Sequence, residues 1–165
     1  MIRLIIFFML FPIVVLANNQ TVYYEPKTVE LIGVLKTLKF PGPPNYTNIK
    51  NGDKAETGSY LLLDKPVDVE VSPAAKNSTD NPPERNVSLI QLVVTEKNFW
   101  RQIKEGNKIR ITGTLFHALT GHHHARVLIN VKKIDVLSHQ SGQDNKQQLT
   151  PEDRQFLKQQ HVEND

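Results

Sequence analysis

Hydrophobic and polar positions alternate most clearly in the second half of the chain. Ile109, Ile111, Gly113 and Leu115 fall on one face and Arg110, Thr112 and Thr114 on the other, which predicts a strand over Lys108 to Phe116. Ala125 to Val136 carries a matching set in Val127, Ile129 and Val131, so the two segments form a hairpin around Thr120-Gly121. Earlier in the chain, Thr28 to Leu38 has apolar residues on both faces around Gly33, as in a long strand that bends at its glycine. Gly58 to Leu63 and Val67 to Val71 read as two short strands separated by Asp64-Lys65-Pro66, and Val87 to Val94 is a strongly apolar strand.

Between these runs lie two kinds of interruption. The segment Phe40-Pro41-Gly42-Pro43-Pro44-Asn45-Tyr46 cannot pair inside a sheet, because its prolines lack amide donors, and it reads as a stiff loop. Ser72 to Asn86 is rich in Pro, Asn, Ser and Asp with almost nothing to bury, so a long exposed loop is expected. Thr95 is a plausible N-cap for a short helix bearing Phe99, Trp100 and Ile103 on one face and ending at Gly106. From Ser138 the chain turns polar, and only Thr150-Pro151-Glu152-Asp153 signals a further short helix, running through Phe156 and Leu157.

This order predicts a mainly β fold. Three strands, a helix and a two-strand hairpin match the five-stranded Greek-key barrel called the OB-fold, with one short helix between strands three and four. Glycines inside strands one and four, Gly33 and Gly113, suit the sharp coiling of a small barrel. The expected organisation is a signal peptide over 1–17, an OB-like barrel over 18–137 and a polar tail with a short helix over 138–165.

The signal peptide rests on Arg3, an apolar run from Leu4 to Leu16 and the small residue Ala17 at the cleavage point. The alternative, a membrane anchor, meets a run interrupted by Pro12 and shorter than the ~20 residues a span needs. Export with no cysteine in the chain means no disulfide framework and no lipoprotein anchor. A chain of 165 residues can bury a core without such staples. The net charge of +3 falls by one when Arg3 is removed, and the remaining lysines are scattered among acids, which argues against a nucleic-acid stripe. Aromatic residues make up 7%, and Tyr60 is the only base-stacking platform on the candidate strands. Four Asn-x-Ser/Thr sequons, at Asn19, Asn45, Asn77 and Asn86, are compatible with chance in an Asn-rich bacterial chain.

Several motifs together resemble a family of small exported bacterial proteins known only as a domain of unknown function. They are Tyr23-Tyr24-Glu25-Pro26, the Phe40 to Tyr46 loop, Gly52-Asp53, Leu63-Asp64-Lys65-Pro66, and Gly113 to Ala118 followed by Thr120-Gly121-His122-His123. The resemblance spans most of Tyr23 to Val136. It implies a Gram-negative envelope location, periplasmic or secreted, and brings no established activity.

Candidate chemistry concentrates in His117, His122, His123 and His124. Three converging imidazoles would make an open zinc or copper site. A regular hairpin, however, would place His117 opposite His123 and turn His122 and His124 to the other face. A second reading is recognition: in OB-folds this last hairpin loop and the loop after strand one flank the ligand face. Tyr46, Pro43, Pro44, His117 and His123 would then contact a protein or cell-envelope partner. Asp68 and Glu70 share a strand face but read as an ordinary solvent side opposite Val67, Val69 and Val71. No Ser-His-Asp spacing, phosphate loop or HExxH occurs, so catalysis is the minority reading. The sequence therefore points to an envelope accessory or binding protein, an inhibitor or immunity factor among its forms. The alternative is a periplasmic metal-binding protein using the histidine cluster. No nucleic-acid partner and no membrane span after cleavage are expected.

Overall fold

The computed structural model describes residues 18–75, 80–95, 103–139 and 148–161. The expected signal segment and most of the expected Phe99–Trp100 helix lie outside these residues. What is described is mainly β: β1 (Gln20–Tyr23), β2 (Thr28–Pro41), β3 (Ala55–Glu70), β4 (Glu84–Val93), β5 (Lys108–His117) and β6 (Val127–Ser138), followed by one α-helix, α1 (Pro151–Gln159). The strands form one six-stranded sheet in the order β1-β3-β2-β5-β6-β4, with an additional β3–β4 pairing. β2 is antiparallel to both β3 and β5, β5 is antiparallel to β6, and β4 runs parallel to β6.

Alternation along each strand sends one set of side chains to a common interior. Leu31, Leu35, Leu61, Leu63, Val87, Ile90, Ile109, Ile111, Leu115, Val127 and Ile129 are buried together there. Gly33 sits where β2 passes between its two partners, aligned with both Leu63 and Ile109. A Cβ at this position would lie 2.2 Å from the Leu62 carbonyl oxygen, so only glycine permits the approach. Gly113 marks a register shift between β5 and β6, where a Cβ would lie 2.3 Å from the Asn130 carbonyl oxygen.

Four expectations need correction. The two short strands around Asp64-Lys65-Pro66 are one strand, β3. It runs through because the β3–β4 register shifts between Leu62 and Val67, so the missing Pro66 amide falls at an irregularity instead of in the ladder. β2 extends to Pro41, which pairs with Ala55, so the stiff loop begins at Gly42. The polar start contains β1, parallel to the second half of β3, with Val22 and Tyr24 buried. Finally, β4 begins at Glu84, and the preceding segment is not wholly exposed: Asn81 is buried and its Oδ1 accepts from the His117 amide at 2.8 Å.

The expected C-terminal helix forms where its cap predicts. Thr150 is the N-cap, Pro151 occupies the first turn, and the Thr150 hydroxyl accepts from the Asp153 amide. α1 packs on the outer face of β3 and β4, where Leu157 joins Tyr60, Leu62, Leu89 and Ala125 in a second buried cluster. Burying Leu157 contributes about 2 kcal/mol.

Candidate functional site

The loop after β2 is held by one carboxylate. Asp53 Oδ1 accepts from the Asn45 amide at 2.9 Å and its side chain at 3.1 Å, and Oδ2 accepts from the Thr47 and Asn48 amides at 2.8 and 2.9 Å. The Asn48 and Thr47 amides hold the Asp53 carboxyl far below the usual carboxylate range, against the opposing effect of burial. Backbone bonds between Gly42 and Lys54 and between Lys54 and Pro43 close the base of the loop. At its tip Tyr46 has φ 58°, a left-handed conformation uncommon outside glycine, and the residue is 46% exposed. The Pro43–Pro44 peptide is cis.

The turn between β5 and β6 is longer than a regular hairpin allows. His117 aligns with Val127, Ala118 donates to the Arg126 carbonyl, and His123 donates to the Thr120 carbonyl. The pairing of His117 opposite His123 expected from the pleat therefore does not occur. Gln91 of β4 fixes the turn from below: its Oε1 accepts from the His124 amide at 2.7 Å and its Nε2 donates to the His122 carbonyl at 3.2 Å.

The four imidazoles have separate surroundings. His117 places Nε2 3.0 Å from Glu84 Oε1 and Nδ1 3.0 Å from the Ala118 carbonyl oxygen. His123 accepts at Nδ1 from the Leu119 amide at 2.9 Å and meets Phe116 edge to face. His124 is buried and stacks on Phe40 with ring centroids 3.7 Å apart. His122 is exposed and meets Tyr46 edge to face at 6.3 Å. Burial pushes His123 and His124 below the ordinary imidazole range. Among the described residues, no three His, Cys, Asp or Glu side chains are grouped to hold a metal ion.

The loop and the turn meet at a pocket of about 310 Å³, lined by Pro41, Tyr46, Gly121, His122, His124 and the end of α1 at Gln159, Gln160 and His161. Of the residues singled out from sequence, Tyr46, His122 and His124 come together here. Pro43, Pro44, His117 and His123 do not line it. Pro41 and Gly121 belong to the loop and the turn expected to border the surface, though neither was singled out as a contact, and the three residues of the helix end went unrecognised. Nothing in a polar tail signals that its helix docks, so the helix-end residues had no detectable signature.

An ionic chain centred on the buried pair Arg126 and Asp153 also carries no signal in the sequence. Asp153 accepts from Arg126 Nε at 2.9 Å and Nη2 at 2.8 Å, from the Ser88 amide at 2.6 Å and hydroxyl at 2.8 Å, and from the Leu89 amide at 3.0 Å. Arg126 continues to Glu84 Oε2 at 2.5 Å, and Glu84 to His117. Burial alone would raise the Glu84 carboxyl, but the His117 bond and the Arg126 charge outweigh it and hold it below its ordinary value. His117 thus belongs to the attachment of α1. Asp68 and Glu70 both pair with Arg85 on the surface.

A family model described as a domain of unknown function, DUF4431, matches residues 89–135. That span runs from β4 through the histidine turn into β6 and bears out the resemblance to a family without an assigned activity. No curated protein and no solved structure matches the chain. No helix among the described residues is long and apolar enough to cross a membrane.

Proposed function

We propose that this chain is an exported envelope accessory protein, acting in the periplasm or outside the cell. It binds a protein or cell-wall partner through the Pro-rich loop and the histidine turn, as an inhibitor or immunity factor would. The carrying observation is that Tyr46 on one loop and His122 and His124 on the other, far apart in sequence, line a single pocket. A five-stranded OB-like Greek-key barrel accounts for this convergence. The strand pairings can be followed from β2 to β3, β4, β6, β5 and back to β2, and in such barrels the corresponding two loops flank the ligand face. The rigidity that Asp53 and Gln91 give the two loops supports binding, because little order remains to be imposed when a partner arrives.

The test is affinity capture from a cell-envelope fraction with the native chain and with the double variant Tyr46→Ala and His122→Ala. The reading expects a partner retained by the native chain and lost from the variant. A partner set unchanged by the two substitutions would overturn it.

A further inference from the structure

The pocket's chemistry narrows what it can hold. Among the described residues its lining holds no Lys, Arg, Asp or Glu, so none of them supplies a fixed counter-charge for a phosphate or a carboxylate, and its three imidazoles, His122, His124 and His161, belong to no group that could hold a metal ion. Glu56 is close enough for its charge to act on His124 but does not line the cavity. His124 favours its neutral form because it is buried. The lining instead combines two ring systems at an aromatic corner, Tyr46 and His122, with the side-chain amide of Gln159 and that of Gln160, which also bonds to His124. Amides both donate and accept hydrogen bonds, as sugar hydroxyl and acetamido groups do, while an aromatic ring presents the apolar surface that a pyranose C–H face covers.

A second observation concerns the shape. α1 lies on the outer face of β3 and β4 and is tied there by Asp153, so the sheet face beside the two loops is already covered by the chain itself. The end of α1 then forms a wall of the pocket, and the body of the helix covers the neighbouring face of β3 and β4. The volume of about 310 Å³ is at the small end of the range for ligand pockets. Backbone strain of the kind found at Tyr46 is held in place by the Asp53 bonds, and it keeps the exposed ring at this rim. A further cavity, lined by Glu25, Pro26, Ala75, Asn81, Thr114 and Lys132, has charges and no aromatic ring, and offers no comparable platform.

We infer that the pocket between Tyr46, His122 and the end of α1 takes the terminal sugar of an uncharged, N-acetylated glycan. This rests on the binding role proposed above and names the cell-wall class of partner. The sugar ring lies against Tyr46, and the amides of Gln159 and Gln160 read its hydroxyl and acetamido groups.

The test is titration of the full exported chain with the β-1,4-linked tetramer of N-acetylglucosamine, followed by backbone amide NMR. The expected result is saturable shifts confined to the loop around Tyr46, the histidine turn and residues 159–161. Tyr46→Ala and His122→Ala should each weaken binding about tenfold or more, while Tyr46→Phe, which keeps the ring, should bind within a few-fold of the native chain. Free N-acetylglucosamine should give the same shifts more weakly if the terminal ring is what is read. Absence of saturable shifts at millimolar tetramer, or equal binding by the native chain and both alanine variants, would overturn the inference. If envelope capture still depended on Tyr46 and His122 in that case, the binding role would stand with a protein as its partner.

Discussion

Asp53 does more for the candidate site than any residue that lines it. By accepting from three successive parts of the loop it sets the backbone that presents Tyr46, and its low carboxyl pKa follows from those same bonds. The Gly52-Asp53 pair was visible in sequence as a motif, but the reason for it was not, since a carboxylate in a polar loop usually faces water. Tyr60 illustrates the opposite case. Its hydroxyl is buried beneath α1 with no hydrogen-bond partner among the described residues. Tyr60→Phe should therefore leave stability unchanged or raise it by about 1 kcal/mol, measured by urea unfolding. The titratable groups predict a pH dependence with a definite sign. His123 and His124 bind protons less readily folded than unfolded, so stability should fall as pH drops below about 6.5, where the unfolded chain begins to take up protons. Asp53, Asp68 and Glu84 are held low in the fold, so a second loss should follow below about pH 4. Thermal melts at about pH 7.5, 5.5 and 3.5 should show both steps.

Elements whose side chains alternate strictly were legible, and β5 and α1 lie where pattern and cap place them. Less legible were the features that depend on a distant partner. β1 is four residues long and exists only because the far half of β3 offers a parallel edge. The histidine turn departs from simple hairpin register because Gln91, on a strand not adjacent in sequence, anchors its backbone. Nothing in the strand pattern singles out Arg126, yet it is buried against Asp153 and Glu84. The attachment of α1 follows from this ion pair. Asp153→Ala would leave Arg126 buried without its principal counter-charge and the Ser88 and Leu89 amides without an acceptor, at a cost of about 3–5 kcal/mol. Leu157→Ala at the same interface should cost about 2–4 kcal/mol. Hydrogen exchange of the 152–159 amides should rise in both variants, with the larger effect for the Asp153 variant.

At the scale of the whole molecule, a β fold with a covered sheet face concentrates what is accessible and preorganised at one rim, where two loops and a helix end meet. An address outside the cytoplasm, proposed from the first seventeen residues, implies that the mature chain begins at Asn18; N-terminal sequencing of the protein from a periplasmic fraction should find that start. The central claim is that the Pro-rich loop and the histidine turn form one binding surface. It is tested most directly by placing a photoreactive phenylalanine analogue in the exported protein in living cells, singly in place of Tyr46, of His122 or of Lys133, an exposed residue of β6 that does not line the pocket. The account predicts one shared cross-linked adduct from the first two positions and none from the third. Adducts that differ between Tyr46 and His122, or the same adduct from all three positions, would contradict it.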